Sequence, residues 1–72
     1  MEEVNLYKLQ VADRFGFKTE GRFKQMKVLN IEFNTPEGYP VIIAQDLESG
    51  VTTRIGYDRS KVDATPVRVM KI

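Results

Sequence analysis

The chain has 72 residues, 11 Lys and Arg against 10 Asp and Glu, and no Cys, His or Trp. Without Cys there is no disulfide, thiolate metal site or thiol nucleophile, and without His there is no imidazole base and no usual zinc ligand set. Most enzyme chemistry is thereby excluded, no cofactor is implied, and what remains is one small domain over residues 1–72 that acts through its surface.

Size makes such a domain marginal. About 60% of the unfolded surface, roughly 7,500 Å², is buried on folding a chain of this mass. If about 60% of that area is apolar, burial contributes roughly 110 kcal/mol at ~25 cal/mol/Å². Ordering the chain at ~1.5 kcal/mol per residue costs about as much. A homodimer or a protein partner is therefore expected, with an idealised small fold as the alternative. The acidic opening Met1-Glu2-Glu3 is unlike the basic start of a signal peptide, and the apolar run Val41 to Ala44 is far short of a membrane span. These features predict a soluble, cytoplasmic protein.

Evenly spaced turn signals divide the chain into about five short segments, the pattern of an all-β sandwich or small barrel. In the first, Val4 to Val11, Tyr7, Leu9 and Val11 alternate with polar residues while Val4 and Leu6 fall on the other parity. A strand with a bulge accommodates both sets, and a helix running toward Gly16 is the alternative. Gly16 to Gly21 reads as a glycine-bounded loop. Arg22 to Asn34 reads as a long strand, its parity switches placing bulges near 24–25 and 28–29. Thr35-Pro36-Glu37-Gly38 has the composition of a type I turn. Pro40 opens a third strand ending at Leu47, with Val41, Ile42 and Ile43 implying burial on both faces at its start. Glu48-Ser49-Gly50 fits a hairpin loop with glycine in the left-handed position. Val51, Thr53, Ile55 and Tyr57 then alternate cleanly and predict a strand with one buried face. Residues 58–66 are polar and read as a loop, with one helical turn possible at Ser60–Asp63; Val67 to Ile72 is the last strand.

This order of strands and loops resembles the SH3-like small barrel family across the whole chain. An OB-like barrel, or an α+β domain with an N-terminal helix on a bent antiparallel sheet, are the alternative folds. The Ala-Leu-Tyr-Asp-Tyr stretch and paired Trp that form the proline-peptide groove of signalling SH3 domains are not present, so that activity is not implied. Arg14-Phe15-Gly16-Phe17 resembles part of the RNA-binding stretch of cold-shock domains, but the other stretches of that family are missing.

Charge is unevenly placed. Residues 8–27 hold six cations and two carboxylates, residues 28–50 hold four carboxylates and no cation, and residues 51–72 hold five cations and two carboxylates. Within the first stretch Arg14, Lys18, Arg22, Lys24 and Lys27 interleave with Phe15, Phe17 and Phe23. That arrangement suits a phosphate backbone with stacked bases, or an acidic protein. A domain of this size needs most of its four phenylalanines for packing, which would leave the cations as a solvated face. Tyr39 and Tyr57 are candidate interface anchors, since Tyr is enriched at interfaces. The candidate binding set is therefore Arg14, Phe17, Lys18, Arg22, Lys24, Lys27, Tyr39 and Tyr57, with no catalytic or metal residues. The expected function is a non-catalytic protein-interaction module, of the small adaptor or inhibitor kind common in phage and other mobile elements. Nucleic-acid binding through residues 14–27 is the alternative.

Overall fold

The computed structural model describes residues 2–56 and 68–72. It is an all-β structure: β1 (Glu2–Asn5), β2 (Arg14–Thr19), β3 (Arg22–Glu32), β4 (Val41–Asp46), β5 (Thr52–Gly56) and β6 (Arg68–Lys71). All pairings are antiparallel, and the six strands make one sheet in the order β1-β6-β2-β3-β4-β5. Five strands closed into a barrel were expected. The described residues give six strands with β1 and β5 as the two ends of the sheet, so barrel closure is not seen.

The sixth strand comes from the ambiguous first segment. β1 pairs with β6, Val4 opposite Val69, and then stops. The Asn5 side chain accepts a hydrogen bond of 2.9 Å from the Tyr7 N–H, which starts a single 3-10 turn over Leu6–Lys8. Residues three apart eclipse in such a turn, so Leu6 and Leu9 both reach the core. The parity switch thus reflects neither a bulge nor an α-helix. The chain next reverses through Gln10–Asp13, where Ala12 takes a left-handed φ of 79°. Its N–H donates to the Val28 carbonyl, and Val28 N–H donates to Asp13, each at 2.9 Å, which fastens the turn to β3.

The expected loop at 16–21 is instead most of a hairpin. β2 and β3 pair in unbroken register from Arg14 opposite Lys27 to Thr19 opposite Arg22. Only Glu20 and Gly21 lie between, with φ of 52° and 75°, both central residues being left-handed as a tight type I′ turn requires. Gly16 is a strand residue rather than a breaker. The unbroken register also removes the expected bulge at 24–25; the one at 28–29 is present, between Val28 and Asn30. β3 is therefore shared, its first half bonded to β2 and its second half to β4.

The Thr35–Gly38 turn closes with a 3.1 Å bond from Gly38 N–H to the Thr35 carbonyl. In the β4–β5 loop, Gly50 has φ 77° and its N–H donates to the Asp46 carbonyl at 2.8 Å. Both turns match their sequence signals. Val41 and Ile42 are both buried, as expected for the start of β4. β5 departs from expectation: Val51 is 59% exposed and Thr53 is exposed, while Ile55 packs partly against the core. Among the described residues β5 is the last strand of the sheet and pairs with β4 alone, so its clean alternation has little beneath it. Residues 58–66, Tyr57 and Val67 lie outside the described residues.

The core consists of Leu6, Leu9, Phe15, Met26, Val28, Ile42, Ala44 and Val69. No polar or charged side chain among the described residues is buried with them. Among the described residues, no helix is long and apolar enough to cross a membrane.

Candidate functional site

The candidate site is the outer face of the β2–β3 hairpin with its neighbour β6. Residues directly opposite in an antiparallel pair share a face, and successive residues alternate. Phe15 and Met26 face each other inside. Phe17 lies on the same inner side, half-buried and stacked on Phe15 with ring centroids 6.3 Å apart. The alternate residues, Arg14, Gly16 and Lys18 on β2 and Phe23, Gln25 and Lys27 on β3, form the outer face. Met70 joins them from β6, opposite Gly16.

Phe23 is the centre of this face. Its side chain lies over Gly16: a Cβ at that position would meet the ring, with Cε1 at 2.6 Å. The glycine provides the hollow and the aromatic fills it, the aromatic rescue seen at strand glycines. The ring nevertheless remains 42% exposed. Three shallow grooves run into it. One is lined with Gly16, Phe17, Lys18, Met70, Arg68 and Glu3, and another with Gln25, Leu47 and Glu48; the remaining one, with Thr19, Arg22, Lys24 and Asp46, lies on the Phe17 side of the hairpin. Leu47 is itself 41% exposed.

The cations of the segment divide into two groups. Lys24 is held by Asp46 at 3.3 Å, and Arg68 by Glu3 at 3.5 Å. Asp46 is a structural acceptor first: the N–H groups of Glu48 and Ser49 bond its carboxylate, which together with Lys24 hold its pKa below the usual carboxylate range. Arg14, Lys18, Arg22 and Lys27 make no ion pair among the described residues. Arg14 and Lys27 stand directly opposite one another across the hairpin. Like charges so placed are destabilising, so this pair is not explained by the stability of the sheet.

The sequence-predicted residues are thus only partly brought together. Arg14, Lys18, Arg22 and Lys27 gather around the hairpin, with Lys24 neutralised at its side. Phe17 goes to the inner side. Tyr39 is remote from the hairpin: it lies over Gly56, beside Arg54, whose guanidinium binds Glu37 at 2.7 Å and approaches Glu32 at 3.7 Å. Arg54 holds the Glu37 carboxyl below its usual range, and its own pKa is raised in return. Tyr57 lies outside the described residues. The residue left out of the candidate binding set is Phe23, although it stands among the aromatics that interleave with the cations. The available signal was its parity, opposite to that of Met26 and Val28 within one continuous strand.

Among the described residues no three of His, Cys, Asp and Glu gather as a metal-binding group. No family model, no curated protein and no solved structure matches this chain.

Proposed function

We propose that this chain is a small SH3-like barrel that works as a non-catalytic protein-interaction module, docking its partner on the outer face of β2–β3 around Phe23. Three features support the architecture: first and last strands pair, β3 is shared between two strand partners, and its bulge provides the bend a barrel corner needs. The observation that carries the function is Phe23, an exposed aromatic seated on a strand glycine at the meeting point of three grooves. A central aromatic ringed by polar side chains is the usual anatomy of an interface anchor. The partner is another protein or a second copy of the chain, in keeping with the marginal stability of so small a domain.

A photo-crosslinking amino acid placed at position 23 tests this in the native host. The expected result is one protein, or a dimer of the chain, captured from position 23 and not from position 39. Equal capture from both positions, or none from 23, counts against the reading; light scattering separates the dimer from the heterologous partner.

Nucleic-acid binding is the second reading, favoured by the opposed Arg14 and Lys27 beside an exposed ring. It is weakened because Phe15 is buried and Phe17 is packed against the core, leaving the face one stacking ring where three were anticipated. A titration with single- and double-stranded oligonucleotides at two salt concentrations distinguishes it, since phosphate contacts weaken steeply with salt.

A further inference from the structure

The cations of the Phe23 face that make no ion pair among the described residues carry the proposed function one step further, to the chemistry of the partner. Resting on the reading of this face as a protein interface, we propose that the partner presents an acidic segment with a single apolar side chain between carboxylates. The apolar side chain packs against the exposed edge of Phe23, and the carboxylates meet Arg14, Lys18 and Lys27.

Charge complementarity is the ground for this. Opposed residues in an antiparallel pair have Cβ atoms only about 4.5–5.5 Å apart. Arg14 and Lys27 are such a pair, on the same outer face as Lys18 and Phe23. Among the described residues, the neighbouring carboxylates are committed elsewhere: Glu3 to Arg68, Asp46 to Lys24 and Asp13 to Lys71. Glu20, in the hairpin turn, and Glu48, beside Leu47, border the grooves from the other side. They limit the positive field to the Arg14–Lys27–Lys18 side of Phe23. A short acidic segment fits a field of that extent, whereas a long polyanion would also have to pass Glu20 and Glu48. Arg14 adds geometric selectivity, because a guanidinium can hold a carboxylate through two parallel hydrogen bonds.

A displayed library of random 12-residue peptides, selected against the full chain, reads out the preferred chemistry. Enriched peptides are expected to carry Asp or Glu on both sides of a Leu, Ile or Phe. Their affinity should fall at least tenfold in Phe23→Ser and in the double variant Arg14→Glu, Lys27→Glu, and several-fold on raising salt, with circular dichroism verifying that each variant is folded. Lys18→Gln serves as a milder third variant should the double charge reversal unfold. Enrichment of peptides without acidic residues that still depend on Phe23 overturns the acidic chemistry and leaves the interface standing. Enrichment indifferent to Phe23→Ser, or no enrichment, overturns the interface reading and this proposal with it. An oligonucleotide that binds the same face and competes with the peptides also overturns the proposal, in favour of nucleic acid.

Discussion

The sheet carries the same device twice, with opposite results. At one place Phe23 lies over Gly16, and at the other Tyr39 lies over Gly56. In both, a strand without a side chain makes room for a ring from elsewhere in the chain. Around Tyr39 the charges are satisfied: Arg54 is bound by Glu37 and approached by Glu32. Around Phe23 they are not: among the described residues Arg14, Lys18 and the half-buried Lys27 make no ion pair with a carboxylate. The contrast teaches that an aromatic on a glycine is a packing solution in itself. What makes Phe23 the binding candidate is that its ring stays exposed among grooves where that of Tyr39 is half-buried, and the charge beside it bears on the partner's chemistry.

The largest expected effects separate packing from binding. Phe15 is fully buried, so Phe15→Ala should cost about 3–5 kcal/mol and leave so small a domain largely unfolded by circular dichroism. Phe23→Ser should cost the fold far less, yet weaken partner binding by about 100-fold, the scale of an interface anchor. Tyr39→Ser should leave binding unchanged in the same assay. Comparable losses from the two aromatic substitutions would erase the distinction between the sites.

Gly16→Ala tests the device directly. The added methyl would displace the Phe23 ring, an overpacking that should destabilise by about 1–3 kcal/mol in a urea titration. In a Phe23→Ala background most of the penalty should be lost, because the ring is gone, Ala reduces the freedom of the unfolded chain, and only the Lys24 carbonyl, 3.1 Å from the added methyl, still crowds it. Additive costs in that cycle would show that glycine is not there for the ring. The corresponding cycle at Gly56 and Tyr39 should behave alike while leaving binding intact.

A smaller effect is expected where β2 begins. Ala12 sits at φ 79°, a region costly to any residue with a Cβ. Ala12→Gly should therefore stabilise by up to about 1 kcal/mol, the relieved strain being partly offset by the greater freedom of unfolded glycine. A lower denaturation midpoint would show that this turn is not strained.

The smallest expected effect is with pH, and it narrows the contrast between the sites. Glu37 is depressed mainly by its hydrogen bond from Arg54, and Asp46 mainly by the N–H groups of Glu48 and Ser49. A carboxyl whose pKa is lower folded than unfolded adds stability above its ordinary value, and that stability is lost as pH falls through the depressed one. Melting temperature should thus hold steady from neutral pH toward the ordinary carboxylate values, 4.5 for Glu37 and 3.8 for Asp46, and decline below them. Below that range Arg54 also loses the charge of its Glu37 partner, which brings the surroundings of Tyr39 closer to those of Phe23. Glu37→Gln should flatten the acid decline, and Asp46→Asn should do so while keeping an acceptor for the loop N–H groups. An unchanged acid profile in both variants would show that these carboxylates do not set it.

The amino-acid sequence by itself determined the all-β character, the turns at Thr35–Gly38 and Glu48–Gly50, the bulge near Val28 and the lack of thiol and imidazole chemistry. These are local properties: turn residues act through their own φ angles and side chains, and a missing residue type is missing in any fold. The tertiary structure alone decided that Gly16 belongs to a strand, that Leu6 and Leu9 enter the core through a 3-10 turn, and that Phe23 stands outside while Phe17 is packed within. It also decided which cations find carboxylates. The side of a sheet on which a ring lies depends on its cross-strand neighbours, and the partner of a charge depends on residues brought close by folding, as Glu3 and Arg68 are across 65 positions. Neither relation is written in the spacing of one segment, which is why the basic stretch was legible in the sequence and its single exposed anchor was not.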